Sequence, residues 1–332
     1  MAQQSYTCIY CTNTKYENQF NSEHVIPKAF GTFGADTWVL NNLVCQECNQ
    51  YFGNSIDRLF AQKSLEGFKR FTFGSKPTKD YDINKHGKED IITISEGTLK
   101  GLECKRIVDR ATNNFILIPK KDDIGCRKVN GEYDFYSLKD IPSKKIFDDA
   151  YSLHTDRIII FSCSVDHNNI IEVIKKNYGS NVQHIVYNDT SEINCIIECE
   201  FTSDHQRALA KIAFNYLAYN NKGNNIIFQK CFNPIRNFIL DGTKPYYPVI
   251  ERSDNSILLE KNNQAILAHI ITIYYSPNHH SLMVSLAIYN YIHYKICLTL
   301  TYNSDLTIET HYGHYFDYHN KKIGKIKATN IL

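Results

Sequence analysis

This chain has no stretch of about 20 uninterrupted apolar residues; even residues 281–300 are broken by Asn290, His293 and Lys295, so neither a membrane-spanning helix nor a membrane partner is expected. It has no surplus of one charge sign either. The 37 Lys and Arg residues stand against 35 Asp and Glu, a formal net charge of +2. That balance excludes a dedicated non-specific DNA binder and confines any nucleic-acid footprint to a local patch. No Walker or Rossmann glycine motif is present, so nothing points to a nucleotide cofactor. The opening Met-Ala-Gln-Gln-Ser-Tyr lacks a basic-then-apolar pattern; no secretory signal is expected, and a cytoplasmic location is. Seven of the 11 cysteines, Cys104, Cys126, Cys163, Cys195, Cys199, Cys231 and Cys297, are scattered, which argues against a disulfide framework.

The other four cysteines are ordered. Cys8-x-x-Cys11 and Cys45-x-x-Cys48 are two knuckles, each tight enough to aim two thiolates at one ion, the spacing of a structural tetrahedral zinc site. Between them lies Glu23-His24-Val25, and Asn49 follows the last cysteine. An imidazole with an ordinary pKa near 6.5 can take a proton from a water aligned against phosphorus. A hard cation such as Mg²⁺ takes oxygen ligands and keeps several waters, so one carboxylate and one amide oxygen form a minimal set. None of these residues has to be a nucleophile.

Read in order, Cys8-Ile9-Tyr10-Cys11, Ser22-Glu23-His24-Val25-Ile26-Pro27, Asn41-Asn42-Leu43-Val44 and Cys45-Gln46-Glu47-Cys48-Asn49 resemble the HNH endonuclease family in its zinc-bearing form, over residues 5–62. The resemblance implies a β-hairpin followed by a helix, the ββα-metal fold. It implies His24 as general base, and Glu23 and Asn49 as ligands of a catalytic Mg²⁺ or Mn²⁺. Asn42, preferred over Asn41, pins the hairpin loop, and Cys8, Cys11, Cys45 and Cys48 hold a structural Zn²⁺. The implied partner is DNA, with RNA left open, cut to 5′-phosphate and 3′-hydroxyl ends in a setting such as defence against foreign DNA. The family more often has Asp before the base. Glu23 is one methylene longer, so its carboxylate must fold back or the metal must sit further out. That departure supports a second reading: a zinc-stapled nucleic-acid-binding or signal-sensing protein with a weak or inactive nuclease centre.

Beyond Asn49, Phe52, Ile56, Leu59 and Phe60 keep helical spacing, which supplies the α of ββα and leaves Asp57 and Arg58 on a solvated face. From Arg58 to Lys79 six basic residues face one acid, Glu66, with Phe68, Phe71 and Phe73 between them; phosphate contact and an exposed linker are both open. Residues 81–91 read as a connection. Runs at 91–94, 103–108 and 114–118 read as an antiparallel meander.

Residues 157–161, 169–177, 183–187 and 193–201 read as β-α-β-β. With a helix that Ser203 or Asp204 caps and that runs to Gly223, they compose a small α/β layer of ferredoxin-like type. That helix carries Ala210-Lys211-Ile212-Ala213-Phe214-Asn215, which is similar to a helix of longer bacterial HNH proteins and names no activity. A short helix starts near Pro234 and stops at Gly242. Residues 257–326 read as several antiparallel strands whose many Tyr and His residues form a half-buried sheet surface.

With 332 residues and 43% hydrophobic content, two or three domains are expected. The expected fold class is α+β: a zinc-stapled ββα-metal module at 1–62, a basic connecting segment at 63–90, and a larger mixed α/β and antiparallel-sheet region at 91–332, with a sub-boundary near 150. For the last region a sensor, a specificity element and a homodimer interface are all open.

Overall fold

Two short hairpins and a helix build the N-terminus. In a computed structural model, β1 (Ser5–Thr7) pairs antiparallel with β2 (Thr14–Tyr16), and the first cysteine knuckle forms the turn between them. β3 (Glu23–His24) pairs with β4 (Val39–Leu40), Glu23 opposite Leu40 and His24 opposite Val39. α1 (Gln46–Asn54) follows with Cys45 as its N-cap residue. This is the expected ββα order. The residues described are 4–86, 91–97, 99–120, 123–127, 133–137, 139–140, 143, 158–161, 167–178, 194–198, 200–253, 260–261, 264–301 and 309–326.

The helix expected after Asn49 is broken in two. Ser55 sits at φ −117°, ψ −97°, and α2 (Ile56–Lys63) restarts beyond it. The Ser55 hydroxyl donates to the Tyr51 carbonyl at 2.6 Å, a local bond that competes with the helical ladder. Phe52, Ile56 and Phe60 are nonetheless all fully buried, so the apolar spacing survives the break. α3 (Leu65–Thr72) is capped by Ser64, whose hydroxyl accepts from the Gly67 amide at 2.9 Å. Gly67 is required there: a Cβ would meet the Ala61 carbonyl oxygen at 2.5 Å.

Two charged residues of the basic segment, Arg70 and Glu66, are buried, while Arg58 and Lys79 are exposed. Arg70 is buried and donates to the Ala61 carbonyl at 2.8 Å, Glu66 is buried and accepts from the Tyr294 hydroxyl at 2.5 Å, and Lys69 lies over the Tyr291 ring. An amphipathic helix has drawn those side chains inward, leaving Arg58 exposed.

The chain forms two compact units, one of Met1–Lys76 with Phe201–Leu332 and one of Pro77–Glu200. The contacts thus group residues differently from the linear division 1–62, 63–90 and 91–332. The second unit holds α4 (Ile83–His86), β5 (Ile91–Ile94), β6 (Glu103–Val108), β7 (Phe115–Pro119), β8 (Asp123–Arg127), β9 (Tyr133–Ser137), β10 (Ile158–Phe161), α5 (His167–Tyr178) and β11 (Cys195–Glu198). Its sheets run β11-β5-β6-β7 and β10-β8-β9, all antiparallel, so the meander is present. Among the described residues β10 and β11 belong to different sheets, not to the one layer expected. Ile92, Ile94, Leu102 and Cys104 form a separate core against which Ile197 of β11 packs, and that apolar match decides its partner. The strand expected at 183–187 lies outside the described residues.

The helix expected to cover that layer belongs instead to the first unit. α6 (Ser203–Asn220) is capped by Thr202, one residue before the expected cap: its hydroxyl and the His205 amide, and its amide and the His205 ring, bond reciprocally. α7 (Asn233–Asp241) starts at Pro234 and ends at Gly242, φ +81°. Then come β12 (Ile250–Ser253), β13 (Glu260–Lys261), β14 (Gln264–Ala265), β15 (Ala268–Ser276), β16 (Ser281–Ile288), β17 (Ile292–Thr299), β18 (Tyr312–Asp317) and β19 (Lys322–Ile326). Six of them make one antiparallel sheet, β12-β17-β16-β15-β18-β19.

α6 packs on α2, α7 and β17, and nearly every side chain from Ala208 to Ala218 is buried. One continuous core runs from Cys8 and Val25 through Phe52 and Phe60 to Leu209, Ile235 and Val284. The overall class is α+β. Among the described residues no helix is long and apolar enough to cross a membrane.

His269, fully buried, links the hairpin loop to the sheet. Its Nε2 meets the Phe30 carbonyl at 3.0 Å and its Nδ1 accepts from the Tyr289 amide at 3.0 Å. Those partners fit the neutral ring alone, and burial holds its pKa down to about 4. The unfolded chain therefore takes up this proton first, near pH 6.5, so stability is full above pH 6.5 and falls as pH drops toward 4, by about 3 kcal/mol in all. Urea unfolding at pH 7 and pH 5 should show a loss about 2 kcal/mol smaller in His269→Asn than in the parent. An equal loss in both would remove His269 from the account.

Candidate metal centre and the Glu-His strand

Cys8 follows β1, Cys11 closes its knuckle, Cys45 caps α1 and Cys48 sits in the first helical turn. Their four sulfurs lie within 4.8 Å of one another, with Cys11 and Cys45 Sγ 3.8 Å apart. A tetrahedron with bonds of about 2.3 Å has edges of about 3.8 Å, so the donor set fits zinc. Among the described residues this is the one such cluster of His, Cys, Asp or Glu.

The knuckles are also braced from outside. Arg236 Nε of α7 donates to the Ile9 carbonyl at 2.8 Å, its other nitrogens meet Asn233 and the Ile227 carbonyl, and Lys15 pairs with Glu47 at 2.6 Å. A hydrogen bond from Cys48 holds the Cys8 thiol down to about 5, whereas burial pushes Cys11 up to about 11.

β3 places its two side chains on opposite faces, as any strand must. Glu23 points inward and is 5% exposed; His24 is half-buried on the other face. Among the described residues nothing hydrogen-bonds the His24 ring. Burial first, then the charges of Lys28 and Lys211, lower its pKa below 6.5, so it is a neutral imidazole at pH 7 with a lone pair to accept a proton.

Asn49 lies against the start of this strand: its Nδ2 donates to Asn21 Oδ1 at 2.9 Å and to the Ser22 carbonyl at 3.2 Å. Asn42 holds a left-handed backbone, φ +59°, and its side chain reaches Glu17 at 3.4 Å. Asn41 accepts from the Ser22 hydroxyl at 2.7 Å. The loop asparagines thus join side chains around β3.

Glu23 meets residues that no reading of the N-terminal motif contains. Its Oε1 is 2.5 Å from Lys211 Nζ and accepts from Asn215 Nδ2 at 3.1 Å. The same Asn215 amide donates to the His24 carbonyl at 3.1 Å, and its Oδ1 accepts from the Tyr10 hydroxyl at 2.5 Å. Lys211 also pairs with Asp57 at 2.7 Å, so Asp57 is not on a solvated face. Burial pushes the Asp57 carboxyl up against the opposing pull of Lys211, and the two carboxylates outweigh burial in holding the Lys211 proton.

Lys211 and Asn215 are both fully buried, and the signal for them was available. Two polar residues four apart interrupt the apolar run Leu209, Ile212, Ala213, Phe214, Tyr216, Leu217, on one face of a helix that has no solvated side.

The class that this fold and site define is a four-cysteine ββα module with an outward imidazole. Residues 8–65 match the family model for HNH endonuclease. The matched stretch contains all four cysteines, Glu23, His24, Asn42 and Asn49, and it implies a nucleic-acid substrate. No curated protein and no solved structure matches the chain.

Metal release should unfold the N-terminal elements. A structural zinc contributes about 10–16 kcal/mol in small zinc domains, comparable to the whole stability of about 5–15 kcal/mol for an ordinary domain. Purified protein should contain a single zinc per chain, and a strong chelator or Cys48→Ser should lower the melting midpoint sharply. A metal-free chain that melts unchanged would remove the site.

Proposed function

We propose that this chain is a metal-dependent endonuclease or nickase that hydrolyses DNA phosphodiester bonds, with His24 as general base and, by analogy with the family, defence against foreign DNA as its setting. The observation that carries this reading is the HNH endonuclease match at residues 8–65 on a strand whose exposed face bears His24. The neutral imidazole takes a proton from the attacking water, and the bond to the 3′ oxygen breaks, leaving 5′-phosphate and 3′-hydroxyl ends. A Mg²⁺ or Mn²⁺ ion would neutralise charge at the phosphate. The Asn49 amide oxygen suits such an ion. The Glu23 carboxylate, bonded to Lys211 and Asn215, does not.

Incubation of the parent with supercoiled plasmid and Mg²⁺ or Mn²⁺ should yield nicked circles, and His24→Ala should lower the rate by about 10²–10⁴-fold with zinc content unchanged. Because the His24 pKa is lowered below 6.5, the neutral base predominates above pH 6.5, and a nearby cation acts in the same direction. The log rate should therefore be level above pH 6.5 and fall with decreasing pH below it, a limb that His24→Ala lacks. Undiminished nicking by that variant would end the assignment of His24.

The burial of Glu23 favours one alternative, a zinc-stapled nucleic-acid-binding or signal-sensing protein with an inactive centre. DNA or RNA binding with no cutting under any cation would select it.

A further inference from the structure

We propose that Glu23 is not a ligand of the catalytic cation but part of a buried clasp with Lys211, Asn215 and Asp57, and that Asn215 and Lys211 are positioning residues for His24. The inference rests on the nuclease reading of His24. Three observations carry it.

The first is occupancy. Glu23 is 5% exposed, and its Oε1 already meets an ammonium at 2.5 Å and an amide at 3.1 Å. Mg²⁺ keeps several waters in an octahedral shell, and this carboxylate lies in the core beside the fully buried Lys211. A cation reaching Oε1 would have to displace that charged partner. The second is completeness. Both Asn215 Nδ2 protons have acceptors, Glu23 Oε1 and the His24 carbonyl, and Oδ1 has the Tyr10 hydroxyl as donor. An amide whose donors and acceptor are all engaged has one orientation. It therefore fixes the backbone of residue 24 to the first cysteine knuckle and to α6.

The third is length. An aspartate at this position would be one methylene shorter, and the extra methylene of Glu23 is the reach that brings its carboxylate to Lys211 at 2.5 Å and to Asn215 at 3.1 Å. The clasp also assigns a task to α6: the helix holds the base-bearing strand at a set angle without touching the substrate.

The test uses the full-length zinc-loaded chain. Glu23→Gln, Lys211→Met, the double variant, Glu23→Asp and Asn215→Ala are compared by urea unfolding, by Mn²⁺ binding followed by electron paramagnetic resonance, and by nicking rate against Mn²⁺ concentration. The clasp predicts that the two single changes at 23 and 211 are coupled, the double variant being at least about tenfold more stable in its folding equilibrium than their sum implies. It predicts that Glu23→Gln leaves Mn²⁺ affinity within about twofold. Asn215→Ala should lower kcat by about tenfold or more at an unchanged half-saturating Mn²⁺. Glu23→Asp, though it restores the family's usual residue, should weaken the fold.

A tenfold or larger loss of Mn²⁺ affinity in Glu23→Gln, or additive effects of the two changes, overturns the proposal. If Lys211→Met does not fold, Asn215→Ala against Glu23→Gln supplies a second cycle across the clasp, through the hydrogen bond from Asn215 Nδ2 to Glu23 Oε1. If the parent cuts nothing, the nuclease reading fails, while the coupling and the Mn²⁺ affinity still decide whether Glu23 is a clasp residue.

Discussion

A fully buried ammonium, Lys211, sits between the carboxylates of Glu23 and Asp57, and the geometry of the N-terminal motif depends on it. Alone in a core, a lysine would shed its proton, because burial disfavours the charged form. Here each charge is the reason the other two are tolerable. Two acids and one base leave a surplus negative charge in a dry place, and it relaxes at Asp57, whose pKa burial raises and whose Oδ1 has no partner among the described atoms. Removing one member of such a set costs about 3–5 kcal/mol, because the others are left uncompensated. The ion set is therefore a strong constraint on which backbones can approach one another, whatever its net contribution to stability.

That constraint matters because the N-terminal elements are too short to hold themselves. β3 and β4 have two residues each, and β1 and β2 three, fewer than a hairpin needs to persist in water. Three ties substitute for length. The four cysteines close the loop between the knuckles, Arg236 and Arg207 of α7 and α6 bind carbonyls or hydroxyls of the Ile9 and Tyr51 regions, and the clasp fixes β3. Arg207 also donates to the Ile239 and Leu240 carbonyls, satisfying orphan acceptors at the end of α7. The segment that matches the nuclease family is thus folded around residues far beyond that segment, and its core is continuous with theirs.

What was legible in the sequence was local. The Cys-x-x-Cys pairs announce their cluster in spacing alone, and the strand runs read at 91–94, 103–108 and 114–118 announce theirs in alternation and turn residues. What was not legible depends on long-range partners. The break at Ser55 leaves the apolar period intact, so no pattern announces it. The burial of Arg70 and Glu66 follows from the Ala61 carbonyl and the Tyr294 hydroxyl, partners that the charge pattern from Arg58 to Lys79 does not announce. β10 and β11 follow each other among the described strands but not in a sheet: β10 pairs with β8, and β11 pairs with β5, where Ile197 packs on the core of Ile92 and Ile94. Asp57 looked exposed because its partner lies 154 residues away. Lys211 and Asn215 carry a signal of their own: polar groups inside the apolar run from Ala208 to Ala218 need acceptors and donors.

The order of that dipeptide follows from the same physics. In a strand, neighbouring side chains face opposite ways, and a shift of one residue exchanges every face. With only two residue pairs, Glu23 with Leu40 and His24 with Val39, the ladder itself barely prefers one register. The choice falls to what each face offers. Inside, an ammonium and an amide wait for a carboxylate. An imidazole turned to the same place would meet two donors, and the carboxylate left outside would abandon Lys211 to Asp57 alone. The inward pull on Glu23 is then what turns His24 to the opposite face, so the more buried of the two side chains sets the exposure of the other.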